Sequence, residues 1–158
     1  MDEQAKKTAL RMIPYGLYIL TAKDGQQIAS GAINWVTQAS FQPPLVVMGV
    51  KTDSALYPVV TASRKFALSI LGTGQKDLAF AFFKHQEPSE GRLGDYAFET
   101  HTTGAPIISD APAWVEGDVV EIVERGDHAI VIGEVTEAGV KRESAPLTLE
   151  ECGVKYGG

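Results

Sequence analysis

The chain has 158 residues, of which 44% are hydrophobic. This is enough for one compact domain with a sizeable core and too little for two ordinary ones. Its 14 lysines and arginines stand against 20 aspartates and glutamates, which gives a net charge of −6. A surface that follows nucleic acid needs an excess of basic residues. We therefore expect a single domain over residues 1–158 and no nucleic acid partner.

The sequence contains no pattern for a membrane span, a signal peptide, a metal site or a disulfide. The longest apolar stretch, residues 44–50, is far shorter than the roughly 20 residues of a membrane span. The first residues carry charges of both signs and lack the apolar segment of a signal peptide. With one cysteine and three histidines that lie far apart, neither a disulfide nor a metal site is predicted. We expect a cytoplasmic protein without a membrane segment.

The first half of the chain predicts one helix, a hairpin, a buried strand and a second helix. Residues 3–13 carry apolar side chains on one helical face, and two apolar-rich strands flank the turn Asp24-Gly25. The apolar run over residues 44–50 predicts a buried strand. A helix is predicted to begin at Asp53 or Ser54, since both residue types are good N-caps. The predicted buried face of this helix consists of Leu56, Val59 and Val60.

The second half of the chain predicts three more strands and one more helix. The predicted elements are a strand over residues 65–71, a helix from about Gly74 to Lys84 with Leu78, Ala79, Phe82 and Phe83 in packing positions, a surface loop over residues 85–95, and long strands over residues 113–125 and 128–138. Residues 139–158 are expected to be mostly irregular. Six or seven strands with hairpin turns and few helices favour a mainly antiparallel barrel over a doubly wound sheet.

Residues 51–54 end the predicted buried strand and precede the predicted helix. Free backbone N–H groups at a helix N-terminus favour an anion, Lys51 adds a positive charge, and Thr52 and Ser54 add hydroxyl donors. Asp53 instead favours simple capping of the helix. From these residues alone, anion binding and capping both remain open.

Two further segments have the composition of a binding site. Residues 34–40 begin with the only asparagine of the chain and supply donors and acceptors that suit the edge of a heterocycle, although they also suit a polar connection to Pro43-Pro44. His128 opens a strongly apolar strand after the turn Gly126-Asp127. At such a strand end a histidine either projects into a cleft or stays solvated.

Four motifs follow one another over residues 8–138. They are Pro14-Tyr15-Gly16-Leu17-Tyr18-Ile19-Leu20-Thr21, Asn34-x-x-Thr37-Gln38 followed by Pro43-Pro44-Leu45-Val46, Val50-Lys51-x-x-Ser54 before a helix, and Gly126-Asp127-His128 before a strand with Gly133-Glu134-Val135. As a set, the chain resembles the flavin reductase-like, FMN-binding split-barrel family, and is most similar to its flavoredoxin and rubredoxin-linked branch. The resemblance implies an antiparallel FMN-binding split β-barrel with flanking helices.

The resemblance also implies an activity and a site. It implies a homodimeric FMN reductase that transfers hydride from NADH or NADPH to FMN, and on to free flavin or to a redox partner protein such as a monooxygenase. The residues that it assigns to the isoalloxazine and ribityl groups are Asn34, Trp35, Val36, Thr37 and Gln38. It assigns the FMN phosphate to Lys51, Thr52 and Ser54. Arg92 falls in a loop that approaches the flavin, and His128 is the implied catalytic residue beside the nicotinamide.

Two alternative functions remain open at this point. One is a flavoredoxin-like electron carrier that holds FMN tightly and has little direct NAD(P)H turnover. The other is a non-catalytic flavin- or haem-binding split barrel. Residues 139–158 carry no pattern that assigns an electron acceptor, and one cysteine cannot supply the four thiolates of a rubredoxin module.

Overall fold

The computed structural model describes all 158 residues, with three helices and eleven strands. The helices are α1 (Glu3–Arg11), α2 (Leu56–Ser63) and α3 (Lys76–Ala81). The strands are β1 (Tyr18–Asp24), β2 (Gln27–Ile33), β3 (Val36–Ser40), β4 (Leu45–Lys51), β5 (Lys65–Ile70), β6 (Pro88–Ser89), β7 (Arg92–Leu93), β8 (Tyr96–Glu99), β9 (Ile107–Ile108), β10 (Ala113–Val123) and β11 (His128–Val140). None of the helices has the length and apolar character needed to cross a membrane.

Seven strands form one antiparallel sheet in the order β2-β1-β5-β10-β11-β4-β3. Every neighbouring pair in this order is antiparallel, so the predicted mainly antiparallel β class is confirmed. The hydrogen-bonded order begins at β2 and ends at β3 and does not close on itself. The pairing of β11 with β4 places His128 opposite Lys51 at one end of the sheet.

The hairpin predicted at Asp24-Gly25 is confirmed. Asp24 pairs with Gln27, so only two residues connect β1 to β2. Gly25 adopts a φ of +60°, a left-handed conformation that glycine reaches without a steric penalty and that short hairpin turns require. The turn fixes the β1–β2 register, and thereby decides which side chains at the end of β2 point toward the interior of the protein.

Helix α2 packs against β1 and β2 and covers the main core. Its predicted buried residues, Leu56, Val59 and Val60, are all less than 4% exposed, as this prediction required. Burying side chains of this size stabilises the fold by about 1.5–3 kcal/mol each. Tyr57 is buried beside them and donates its hydroxyl to Glu124 near the end of β10.

The predicted start of this helix at Asp53 or Ser54 is wrong by two to three residues. Helix α2 begins at Leu56, and its N-cap, Ala55, provides no side-chain hydrogen bond. The reason lies in a tight turn before the helix, in which the backbone N–H of Ser54 donates to the carbonyl of Lys51. The Ser54 hydroxyl donates to the same carbonyl at 2.7 Å and accepts the Tyr57 N–H at 3.3 Å, so it closes the turn and still supports the first helical turn.

Residues 85–95 were expected to form a surface loop, and this expectation is wrong in part. β6 and β7 form a small hairpin there, which continues through β8 and β9 as a second, four-stranded sheet. Leu93 is fully buried and anchors the hairpin in the second core cluster. Helix α3 ends at Ala81, short of the expected end, so Phe82 is buried while Phe83 is 51% exposed.

The chain after Val140 has no helix or strand, but it is tied to the sheet. The backbone N–H of Leu17 donates to the carbonyl of Leu147, whose own N–H donates to the carbonyl of Leu71. Leu147 is fully buried, and the N–H of Leu149 donates to the carbonyl of Tyr15. These bonds direct the last residues along the same end of the sheet at which His128 and Lys51 lie.

Candidate functional site

A cavity of about 650 Å³ opens at this end of the sheet. Its wall combines segments that are distant in sequence: the end of β2 with Asn34 and Trp35, the end of β4, the start of α2, residues 82–85, His128, and residues 154–156. A cleft of this size, with apolar walls and a few polar groups, is the usual form of a small-molecule site.

Three buried side-chain polar atoms have no hydrogen-bond partner, and all three belong to residues that line this cavity. They are the hydroxyl oxygen of Ser30, the amide nitrogen Nδ2 of Asn34 and the indole nitrogen Nε1 of Trp35. Leaving a buried donor or acceptor unpaired costs about 1–3 kcal/mol, so proteins rarely leave them without a reason. All three lie in residues of one cavity wall, so the unpaired buried polar groups of the protein are concentrated around this cavity.

Trp35 packs closely against β4 because residue 49 is glycine. A Cβ on Gly49 would lie 3.1 Å from the Cβ of Trp35 and 3.2 Å from its ring. The backbone N–H of Gly49 also donates to the carbonyl of Trp35 at 2.8 Å. Strand β4 therefore fixes both the backbone and the indole plane of this residue, and a larger side chain at position 49 would displace it.

The indole of Trp35 is the centre of an aromatic cluster. Its ring centroid lies 4.5 Å from the His128 imidazole, 5.2 Å from the Tyr156 ring and 6.5 Å from the Tyr15 ring. The His128 side chain is only 15% exposed. It packs against Trp35, and hydrogen bonds hold its ring nitrogens. The expectation that His128 reaches a cleft agrees with this placement.

Both ring nitrogens of His128 are engaged. Nδ1 lies 2.8 Å from an oxygen of Asp127, and Nε2 lies 2.8 Å from the hydroxyl of Tyr156. The hydrogen bond and charge of His128 lower the pKa of the Asp127 carboxyl, which is therefore ionised and accepts at neutral pH. Nδ1 must then carry a hydrogen, which leaves Nε2 as the atom of this histidine that the cavity side can use.

The segment after β4 brings a positive charge and a helix start to the same cavity. Lys51 and Ser54 line it, and the Lys51 ammonium lies 3.5 Å from the Asp53 carboxylate in an exposed ion pair. Ala55 gives no side-chain cap, and the Ser54 hydroxyl accepts only the Tyr57 N–H, so the positive end of the α2 dipole faces this region with one capping oxygen, at 3.3 Å. Thr52 points elsewhere: its N–H and its hydroxyl both donate to the carbonyl of Asp127 at 3.0 Å, which ties β4 to the β10–β11 turn.

The structure brings only part of the predicted set together. Asn34, Trp35, Lys51, Ser54 and His128 line one cavity. The other predicted residues lie outside it, namely Val36, Thr37, Gln38, Thr52 and Arg92.

The residues outside the cavity make local contacts. On the edge strand β3, the exposed Thr37 hydroxyl donates to the carbonyl of Gln38, and the Gln38 amide donates to that of Ser40. Arg92 is exposed and donates to the carbonyl of Asp95 within its own hairpin. Their assignment to a cofactor stays a prediction to which this cavity adds no support.

Besides Lys155, sequence reasoning missed four polar members of the wall. Ser30 was treated as an ordinary strand residue, Lys84 and His85 lie where a helix end and a loop were expected, and Tyr156 lies in the segment expected to be irregular. An aromatic residue between a lysine and two glycines, in a tail with few large side chains, is the one sequence signal for Tyr156. The other three reach the cavity only through tertiary packing.

Comparison with known proteins gives a consistent result. Residues 10–156 match the flavin reductase like domain family. A flavin reductase from Pseudomonas putida is 31% identical over 159 residues, which cover all of this chain and 91% of that protein. Diflavin flavoprotein A 1 from Synechocystis is 34% identical over 90% of this chain, and the chain spans only 25% of that protein's length. The chain likewise spans 43% of a probable flavin reductase from Rhizobium meliloti, to which it is 34% identical over 85% of its own length.

Solved structures of similar fold carry related names. The flavin reductase of styrene monooxygenase from Pseudomonas putida S12 superposes with a TM-score of 0.78 at 25% identity, over 99% of this chain and 97% of that chain. The NADH:FAD oxidoreductase SgcE6 from Streptomyces globisporus C-1027 superposes with a TM-score of 0.75 at 28% identity, over 91% of this chain and 80% of that chain. Because the family match covers residues 10–156, nearly the whole chain, this chain belongs to the flavin reductase-like family.

Proposed function

We propose that this protein is an NAD(P)H-dependent flavin reductase that binds FMN in the cavity at the end of the sheet. The observation that carries the proposal is that the three unpaired buried polar atoms all belong to residues that line one cavity, namely Ser30, Asn34 and Trp35. A flavin ring offers carbonyl and ring-nitrogen acceptors and an N–H donor along one edge, so it can pair with two donors and a hydroxyl. Membership of the family supports the same ligand.

The charges around the cavity support a phosphorylated ligand. In a chain of net charge −6, Lys51, Lys84 and Lys155 all line this cavity. In the proposal, Lys51, the Ser54 region and the first N–H groups of α2 hold the ribityl phosphate, because a helix N-terminus and a cation together favour a dianion. Asp53, which pairs with Lys51, would lose part of that pairing when the phosphate binds.

Bound flavin would accept a hydride from the nicotinamide, and this chemistry belongs to the cofactor. The protein's part is to exclude water, hold the rings and place donors where charge develops. In the proposal, Asn34 and Trp35 form the wall against which the flavin ring packs. His128, fixed by Asp127 through Nδ1, presents Nε2 to the nicotinamide.

The decisive experiment measures flavin binding and nucleotide oxidation on the same preparation. Titration with FMN and with FAD, followed by flavin fluorescence, determines which flavin binds; FAD is the ligand named for the Streptomyces relative. NADH and NADPH oxidation is then followed with and without added FMN. We expect oxidation that depends on flavin. Tight FMN without NAD(P)H turnover would instead identify an electron carrier, and flavin-independent behaviour would contradict the proposal.

A substitution at His128 tests the mechanism within this function. His128→Asn should slow NAD(P)H-driven reduction of bound FMN at least ~10-fold, about 1.4 kcal/mol in the barrier, while leaving FMN affinity nearly intact. Stopped-flow absorbance at the flavin band measures the step. His101→Asn is the control, since His101 stacks on Trp114 at 4.4 Å and does not line the cavity. Equal rates in the wild type and His128→Asn would return His128 to a structural role.

Assembly and partners complete the proposal. We infer that residues 1–158 act as one domain, that the antiparallel sheet is the split barrel of this family, and that two copies associate so that the second subunit covers the exposed side of the flavin ring. The name of the styrene monooxygenase reductase supports a second enzyme as acceptor of the reduced flavin. Light scattering in the presence of FMN tests the dimer, because a monomeric mass contradicts it.

A further inference from the structure

Residues 153–158, called the tail segment below, form a partition between two cavities. The flavin cavity proposed above lies on one side. A second cavity, of about 660 Å³, lies on the other side, between the tail segment and α1. Val154, Lys155 and Tyr156 line both. The tail segment is therefore the common wall of two spaces, and its position decides how far each of them extends.

The tail segment is held by few bonds. None of residues 154–158 takes part in a backbone–backbone hydrogen bond. Two side-chain contacts hold it instead: the Arg11 guanidinium donates to the carbonyl of Gly157 at 3.0 Å, and the Tyr156 hydroxyl meets Nε2 of His128 at 2.8 Å. Gly153 and Gly157 adopt φ values of +71° and +120°, in which glycine is free of steric cost. Beyond these two bonds, the segment is held by packing, of Val154 on the second core cluster and of Tyr156 on Trp35.

The contact between Tyr156 and His128 has a chemical consequence. Because Asp127 occupies Nδ1, the imidazole has one remaining hydrogen-bonding position, Nε2, and Tyr156 occupies it. This holds in both charge states: neutral His128 accepts the tyrosine hydrogen at Nε2, and charged His128 donates to the tyrosine oxygen. A ligand that needs Nε2 must displace Tyr156, and its ring must also leave its place beside Trp35, 5.2 Å away.

We propose that Tyr156 gates the site: it holds Nε2 of His128 in the ligand-free protein and gives it up when the nicotinamide nucleotide binds. This proposal rests on the proposed function for the identity of the nucleotide. Movement of the tail segment would also join the two cavities, of about 650 and 660 Å³, into one groove that runs past α1. The free energy of the Tyr156–His128 bond is thus subtracted from the affinity for the nucleotide.

The first test needs no flavin and no nucleotide. Tyr156→Phe keeps the ring on Trp35 and removes only the hydroxyl. Diethyl pyrocarbonate acylates free imidazole nitrogens, and mass spectrometry locates the product at His128. We expect His128 to react several-fold faster in Tyr156→Phe than in the wild type. Tyr15→Phe is the matched control, since Tyr15 belongs to the same aromatic cluster, at 6.5 Å from Trp35, and makes no hydrogen bond to His128. Equal reactivity in Tyr156→Phe and the wild type overturns the gate.

The second test measures the nucleotide itself, using NAD⁺ as a ligand that cannot reduce the flavin. Both proteins are loaded with FMN. NAD⁺ should bind Tyr156→Phe about 2- to 10-fold more tightly than it binds the wild type, as expected for the loss of one competing hydrogen bond. In the wild type, NAD⁺ should also increase hydrogen exchange at residues 154–158. Unchanged or weaker NAD⁺ binding in Tyr156→Phe overturns the gate and makes Tyr156 a supporting contact. A wild type that neither binds NAD⁺ nor oxidises NADH contradicts the proposed function, and the acylation test reports on Tyr156 independently of that result.

Discussion

Two regions of this protein bury polar side chains, and they treat them in opposite ways. On β10, Glu116 is fully buried, and its two carboxylate oxygens accept four hydrogen bonds from the N–H groups and hydroxyls of Thr102 and Thr103, at 2.6–3.3 Å. On the cavity wall, Ser30, Asn34 and Trp35 bury polar atoms that accept or donate nothing.

The difference between these regions shows that pairing, and not burial alone, separates a structural polar group from one that faces a ligand. A fully paired buried carboxylate orders the chain around it, here the loop before β9. An unpaired buried donor lowers stability until something pairs with it. The Glu116 cluster should therefore respond to substitution with a loss of stability, and the cavity wall with a loss of binding.

The largest expected effect is on stability, at Glu116. Glu116→Gln should lower the free energy of unfolding by about 2–3 kcal/mol, because it removes charge-assisted hydrogen bonds and turns an amide NH₂ toward donors. FMN affinity should be little changed. Urea unfolding measures the effect. Glu121→Gln, the same substitution at an exposed position of the same strand, should change stability by no more than about 0.5 kcal/mol. Equal effects of the two substitutions would contradict a structural role for the carboxylate.

The pH dependence of the stability loss in Glu116→Gln gives a further test of the role of the carboxylate. Burial alone would raise the pKa of Glu116, but hydrogen bonds from Thr103 and Thr102 outweigh burial and hold the pKa below its ordinary value of 4.5. A carboxyl with a lowered folded-state pKa stabilises the fold above its unfolded-state pKa and loses this contribution as pH falls through the folded-state value. The stability difference between wild type and Glu116→Gln should therefore be constant near neutral pH and shrink below about pH 4.5. A constant difference down to pH 3 would contradict this assignment.

The next effect is on binding, at the cationic end of the cavity. Lys51→Glu should weaken FMN binding by about 1.5–3 kcal/mol, because a charge-assisted hydrogen bond is lost and a repulsion is added. Lys76→Glu is the control: it changes the net charge equally, at the exposed start of α3, and lies outside the cavity. Fluorescence titration of both variants at one salt concentration separates the local effect from the change in net charge. Equal affinities would remove Lys51 from the phosphate site.

The smallest expected effect, that of Ser30→Ala, tests the contrast between paired and unpaired buried groups most directly. Protein stability and FMN affinity should change in opposite directions in this variant. Ser30→Ala removes an unpaired hydroxyl, so stability should stay unchanged or rise by up to about 1 kcal/mol, while FMN affinity falls by about 0.5–1.5 kcal/mol.

Ser69→Ala is the matched control for Ser30→Ala. Ser69 is also buried, but its hydroxyl accepts the N–H of Ile108 at 3.0 Å. Its loss should lower stability and leave flavin binding nearly unchanged. A loss of stability in Ser30→Ala as large as that in Ser69→Ala would mean that the Ser30 hydroxyl has a structural role.

Much of the fold follows from local patterns. The Asp24-Gly25 turn, the apolar run of β4 and the long β10–β11 pair each carry their own sequence signature, and the structure contains all three. The predicted burial of β4 is confirmed only at Met48 and Val50, since its other residues are half-buried or exposed. The small sheet carries no such signature, because β6 and β7 have two residues each, too short for any alternation of apolar and polar residues to appear. The start of α2 was misplaced because the Ser54 hydroxyl, a good N-cap in isolation, serves the turn before the helix.

The residues of the candidate site also fall into two groups, those that local sequence patterns indicate and those that only the folded structure reveals. Lys51 and His128 could be named as candidates because each lies at a recognisable strand end, and the family resemblance then gave each of them a role. Ser30 and Tyr156 could not be chosen, because their importance depends on residues that are distant in sequence. The Ser30 hydroxyl finds no hydrogen-bond partner in the fold, and the Tyr156 hydroxyl contacts Nε2 of His128. Pairing with distant residues leaves no trace in the spacing of a single sequence.

The pairing of β11 with β4 makes the length of one loop a determinant of which side chains line the cavity. His128 lies opposite Lys51, and residues 124–127 connect β10 to that position. Side chains alternate between the two faces of a strand, so inserting one residue here and shifting β11 by one place would turn His128 away from the cavity while leaving a sheet of the same length. The β1–β2 turn carries the same constraint, since it sets the register of β2, on which Ser30 lines the cavity. In natural or designed variants of this chain, single-residue length changes should therefore be excluded both from residues 25–26 and from residues 124–127.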